Sequence, residues 1–173
     1  MSYLKIRDEA VKQIKEGMQK TFPKITVEAH PGAFTETSIR QSARRTPAIL
    51  TSLVKAVDGT RANGITFVSW VLYRASGGDR LHDGAMKIVS ELIAVIRNAD
   101  FDLDIKETVA EADCLYSGTL DAMNVTMWAV RWELVLGGRA PPPGSAERPD
   151  DLEYMDVAEI LGSAQMQSTI QEE

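Results

Sequence analysis

Cysteine is almost missing from this chain of 173 residues, and Cys114 is the only one. A single thiol cannot close a disulfide within the chain, nor supply the several sulfur ligands of a structural zinc site. That usage fits a reducing cytoplasm. Histidine is nearly as scarce, with His30 and His82 alone. No run of about 18 apolar residues occurs, so no membrane-spanning helix is expected. The opening "MSYLKIRDEAVKQIKEG" is too charged for a secretory signal. A basic surplus is lacking as well, since the net charge is −6. Residues 137–173 hold two basic groups, Arg139 and Arg148, and eight acidic ones. Subtracting these from the chain's 19 basic and 25 acidic residues leaves residues 1–136 with 17 of each. A neutral body has no bulk attraction for nucleic acid, and the acidic tail repels phosphates.

What is present is patterned. Over residues 3–20, Tyr3, Ile6, Ala10, Val11, Ile14 and Met18 fall on one side at helical spacing, with Ser2 at the cap position. Pro23 follows that helix, and "KITVEAH" alternates as a short strand. "PGAFTETSIRQSARRT", residues 31–46, shows no period and reads as a long surface loop. "PAILTSLVKAV" (47–57) and "GITFVSWVLYRA" (64–75) read as strands joined through "DGTRANG", turn chemistry that predicts an antiparallel hairpin. The second strand is apolar on both faces, Phe67, Val71 and Tyr73 against Val68, Trp70 and Leu72. It therefore belongs at the centre of a sheet covered on both sides.

After "SGGD", a helix with Asp79 at its cap carries Leu81, Ala85, Ile88, Val89, Leu92 and Ile96, the strongest helical stripe in the sequence. "ADCLYSGTL" reads as holding a short strand ending at Tyr116, and "LDAMN" as a turn. In "VTMWAVRWELVLGG" (125–138), Trp128, Val130, Trp132, Leu134 and Leu136 alternate with Arg131 and Glu133, the pattern of a half-buried strand. The three prolines of "RAPPPGSAERPDD" favour an extended spacer, after which Met155, Val157, Ala158, Ile160, Leu161 and Ala164 read as a last helix. The expected fold is α+β: a small, mostly antiparallel or mixed sheet of four to five strands, packed by the N-terminal helix and the long central helix. Residues 1–136 form its body, and 137–173 a Pro-rich linker with an acidic helical tail.

Candidate chemistry is thin. His82 beside Asp83 offers few of the ligands that a metal site needs at matched spacing. Cys114 and His82 can be imagined as the nucleophile and base of a small cytoplasmic enzyme, yet "EADCLYS" holds no nucleophile motif, and a lone cysteine also suits a small buried apolar position. "SGGD" follows a strand and opens a helix but lacks both phosphate-loop patterns. "IRQSARR" gathers Arg40, Arg44 and Arg45, whose guanidinium forks suit carboxylates and phosphates. It reads either as a solvated loop or as a contact with a partner. No aromatic residue interleaves there to stack on single-stranded nucleic acid. Trp128 and Trp132, on an inward face, read as core. No catalytic residue, metal or cofactor is expected.

Taken together, "DCLYSGTLDAMNVTMWAVRWELVL" resembles the closing segment of phage tail terminator proteins of the Mu-type and Lambda-type minor tail families. The likeness extends over about residues 1–136. It includes the N-terminal helix, a hairpin whose second strand is like "TFVSWVLYRA", a "GDR"-like turn, an amphipathic helix, and a last strand of the form "WAVxWE", here Trp128 to Glu133. The tail from Gly137 departs from the shorter family pattern.

The resemblance implies a non-enzymatic virion protein assembled in the host cytoplasm: a hexameric ring that caps the head-proximal end of a tail tube, stops its growth and offers a joining surface to the neck or head. Another head–tail joining or tail completion protein is the alternative in the same setting. The implied partners are further copies of the chain and the tail tube protein, with sheath and neck proteins beyond; DNA passes through the lumen without specific contacts, and no membrane is involved. Arg40, Arg44, Arg45, Arg131 and Glu133 are the candidate contact residues between subunits or with the tube. Met155, Val157, Ile160 and Leu161 are the candidate docking side of the tail.

Overall fold

Ile6, Ala10, Ile14 and Met18 are spaced by four residues, and all are buried, so helix α1 (Tyr3–Thr21) turns one narrow stripe inward. The computed structural model describes residues 2–32, 35–59, 63–74, 81–115, 120 and 122–137. After α1 the described elements are β1 (Thr26–Ala29), α2 (Glu36–Ala43), β2 (Ala48–Asp58), β3 (Asn63–Arg74), α3 (Leu81–Asn98), β4 (Ile105–Leu115) and β5 (Val125–Leu136). All fall within one unit, Met1–Gly138.

The strands make one five-stranded mixed sheet in the order β1-β2-β3-β5-β4. β1 runs parallel to β2, and every other neighbouring pair is antiparallel. β3 is central, as its two apolar faces require, and residues 64–72 of it are all buried. The fold is α+β.

One face of the sheet packs against α1 and α3. Ile49, Phe67, Val71, Val130, Trp132 and Leu134 meet the buried stripe of α3, Ile88, Val89, Leu92 and Ile96. Trp132 lies at the middle of this core. Its ring stacks on Phe67 with centroids 4.1 Å apart and on Phe101 at 5.2 Å. Its Nε1–H donates to Ser69 Oγ at 3.0 Å, and Ser69 Oγ in turn shares a hydrogen bond of 2.9 Å with Thr51 Oγ1. The two helices approach closely at Gly17: a Cβ there would sit 2.6 Å from Val95 Cγ1.

Gln13 of α1 fixes the turn between α3 and β4. Its Nε2 donates to Asp100 Oδ1 at 3.2 Å, and its Oε1 accepts the backbone N–H of Phe101 at 3.1 Å. Phe101 and Asp102 both hold left-handed backbone, φ 50° and 57°, which side chains other than glycine adopt at a cost. Burial of Phe101 against Trp132 offsets that cost.

The other face carries Leu50, Val68, Trp70, Leu72, Val125, Met127 and Ala129. Ala43 of α2 and Leu120 pack on it, so the apolar outer side of β3 is covered as its sequence demands.

Two expectations need correction. Residues 31–46 are not one loop: they contain α2. Thr35 caps it through a reciprocal pair, Ser38 N–H to Thr35 Oγ1 at 3.2 Å and Thr35 N–H to Ser38 Oγ at 2.8 Å. The strand expected as a short piece ending at Tyr116 is the 11-residue β4, ending at Leu115. The "SGGD" turn, Asp79, Tyr116 and the tail from Gly138 onward lie outside the described residues. So do the side chains of Glu36, Ile39, Leu81 and His82.

Candidate functional site

β5 gives its two faces different work. Trp132 and Leu134 are buried on the helix side, while Arg131 and Glu133 project from the opposite side. Arg131 does not stand alone in water. Its cross-strand partner is Glu111 of β4, with Nη1 and Oε1 3.5 Å apart. The Arg131 side chain is 41 % exposed and that of Glu111 63 %, so the pair contributes at most about 1 kcal/mol. Glu133 lies between Thr66 of β3 and Val109 of β4, and Val109 is 51 % exposed.

The arginines of "IRQSARR" are placed by α2 and the residues after it. Arg40 lies in its last turn, where cations favour the helix dipole, and Arg44 is its C-cap. Arg45 Nη1 reaches both carboxylate oxygens of Glu28 on β1, at 3.1 and 3.0 Å. Arg40, Arg44 and Arg45 are all exposed. Arg45 thus stands at the β1 edge, Arg40 and Arg44 belong to a helix that packs over β3, and Arg131 and Glu133 lie beside β4.

His30 follows β1. Its Nδ1 accepts the N–H of Gly32 at 3.1 Å, and its ring meets Trp70 edge-on at 5.6 Å. Partial burial pushes its pKa below the ordinary value. Ser52 Oγ donates to the carbonyl of His30. Cys114 is half-buried on β4 opposite Trp128, with its Sγ 3.9 Å from Thr126 Oγ1. Trp128 packs against the helix-side core, and its Nε1 is buried without a hydrogen-bond partner among the described residues. An open groove beside the start of β4 is lined by Arg97, Asp100, Leu103, Lys106 and Glu107, among others.

Among the described residues, no three His, Cys, Asp or Glu side chains are grouped to hold a metal ion. Among the same residues, no helix is long and apolar enough to cross a membrane. No protein-family model matches the sequence, and no curated protein matches it.

The acidic side chains of β4, Glu107, Glu111 and Asp113, are missed by a sequence reading that gives this strand too few residues. Their signal is present. In "KETVAEADC", Glu107, Val109, Glu111 and Asp113 alternate with Thr108, Ala110, Ala112 and Cys114 at a period of two. Met155, Val157, Ile160 and Leu161 lie outside the described residues.

Proposed function

We propose that this chain is a phage tail terminator: a subunit of a hexameric ring that caps the head-proximal end of a tail tube, ends tube growth and presents the joining surface to neck or head proteins. The observation that carries this reading is the setting of the last motif. "WAVRWE" occupies β5, next to central β3 with its "TFVSWVLYR", and its inward face packs on amphipathic α3. The motif's inward tryptophans build a rigid core, while its charged residues face outward beside the exposed Val109.

Such a protein acts by surface matching, with no covalent step. Rigid subunits meet head to tail, and the rotation between neighbours closes the ring. Both edges of the sheet, β1 and β4, lack a further strand among the described residues, and edges of this kind pair readily with another chain. The acidic tail, residues 139–173, is the proposed extra contact to an adjacent subunit or to a sheath or neck protein.

Native mass spectrometry and electron microscopy of the purified chain, alone and with tail tubes, test this reading. The expected result is a six-membered ring seated at one end of the tube. A chain that forms open filaments, or that neither self-associates nor binds tube ends, overturns it. Removing residues 139–173 is expected to leave the body folded and to weaken attachment.

A further inference from the structure

The two edges of the sheet carry opposite charge on the same face. At one edge, Glu107, Glu111 and Asp113 of β4 are exposed, and Arg131 neutralises only Glu111. At the other edge, Arg45 stands beside β1 in an ion pair with Glu28, and the exposed Arg44, next to it in the chain, has no carboxylate partner among the described residues. Among the described residues, each patch therefore keeps a surplus of its own sign.

The register sets the two patches level with each other. Cross-strand partners run in one row from Glu28 through Leu50, Trp70 and Ala129 to Asp113. The row begins beside the Arg45 guanidinium and ends on an exposed carboxylate. Four inter-strand steps of about 4.8 Å put these ends about 19 Å apart. The strand directions also make β4 antiparallel to β1. A second copy laid edge to edge thus continues the row in the antiparallel sense, with acid meeting base. Pairing β4 with its own counterpart would instead crowd two sets of three carboxylates together.

We infer that the acidic β4 edge of one subunit, centred on Asp113, docks against the Arg44–Arg45 edge of the next copy. This inference rests on the ring reading and supplies its subunit contact. The contact is heterologous, so it repeats around an assembly instead of stopping at a pair. Twist along the row alone would wind successive copies into a screw, so closure of the ring requires a bend at the contact itself.

Two charge reversals in the full chain test this. Asp113→Arg sets base against base at the contact, and Arg44→Glu sets acid against acid. Each alone is expected to weaken self-association by about tenfold or more, because like charges across an interface are strongly disfavoured. An equimolar mixture of the two is expected to recover assembly with alternating composition: one kind of contact is then the swapped pair and the other is the natural pair. Higher salt is expected to weaken the natural contact. Circular dichroism checks that both variants fold, and Glu107→Arg replaces Asp113→Arg if that variant unfolds. If the natural chain assembles and both reversals assemble equally well, or if both fail and their mixture stays dissociated, the edge contact is wrong while the ring reading stands. If the natural chain associates neither at millimolar concentration nor on tube ends, both fall.

Discussion

Ser69→Ala removes a hydroxyl on which two other buried groups depend. Ser69 and Thr51 are fully buried, and Trp132 is 1 % exposed. Ser69 Oγ accepts the indole N–H of Trp132 and pairs with the hydroxyl of Thr51. Alanine there leaves an N–H and a hydroxyl without partners in an apolar core, and neither can turn to water. Each stranded group costs about 1–3 kcal/mol. The hydroxyl falls at the low end because it can rotate, so the expected loss is about 2–4 kcal/mol, out of a total that for most domains is about 5–15 kcal/mol. Thr51→Val gives the contrast. It removes one end of the chain in a similar shape and leaves Ser69 to accept from Trp132, so its expected cost is below about 1.5 kcal/mol. Urea unfolding followed by far-ultraviolet circular dichroism measures both, with an unchanged m value as the check that the unfolded states match. A Ser69→Ala variant within about 0.5 kcal/mol of the parent, or a Thr51→Val variant that loses more than Ser69→Ala, would refute the reasoning.

Gly17→Ala is expected to lower stability by about 1 kcal/mol: clash with Val95, a side chain stiff at χ1 in a helix, outweighs alanine's better helix propensity, and adding Val95→Ala should relieve the clash in a double-mutant cycle. Gln13→Ala is expected to cost about 1–2 kcal/mol and to speed hydrogen exchange at the Phe101 amide, which loses its acceptor. The His30 pKa is lowered from 6.5 in the folded chain, so its neutral form is the one the fold favours. That contribution to stability is complete above 6.5 and is lost as pH falls through the lower folded value. His30→Asn, which keeps an acceptor for Gly32 N–H, is expected to flatten the pH dependence of the melting temperature over that range.

The elements legible in the sequence are those whose apolar residues repeat. α1, α3, the β2–β3 hairpin and β5 each bury a stripe or an alternating row, and composition alone exposes it. α2 offers no such row. Its eight residues include only Ile39 and Ala43 as apolar side chains, too few for a period, and what starts the helix is the exchange of hydrogen bonds between Thr35 and Ser38. β4 is obscured for a different reason. Its inward residues are small because their neighbours are large: Ala110 lies opposite Trp132, Ala112 opposite Val130, and Cys114 opposite Trp128. Volume missing from one strand is supplied by the next, and a reading of β4 by itself sees only small and polar side chains. The outward direction of Arg131 and Glu133 is legible from alternation alone. Their relation to Glu111 and Val109 is not, since it depends on the pairing of β4 with β5.

That pairing also ties the surface to the core. Because Ala110 and Cys114 leave room for the two indoles, β4 lies against β5 with its charged side chains outward and its outer edge unoccupied by a further described strand. Larger side chains at those positions would meet Trp132 and Trp128 and push the edge strand away from the sheet. The acidic row of β4 is therefore positioned by tryptophans that never reach it. The basic row at the other edge is positioned in the same indirect way, by Ala43 packing α2 onto the outer face and by Arg74 Nη2 donating to the Ala43 carbonyl at 3.3 Å. A contact between copies that depends on matched edges needs both distances fixed at once. A five-stranded sheet with a filled core on one side and a helix clamped on the other holds them more closely than charges on loops would, because the cross-strand ladder transmits little slack from Glu28 to Asp113. The ion pairs visible within the subunit contribute little by themselves. Their proposed value lies in the surplus charge they leave at each edge, which the opposite edge of a second copy meets with the other sign.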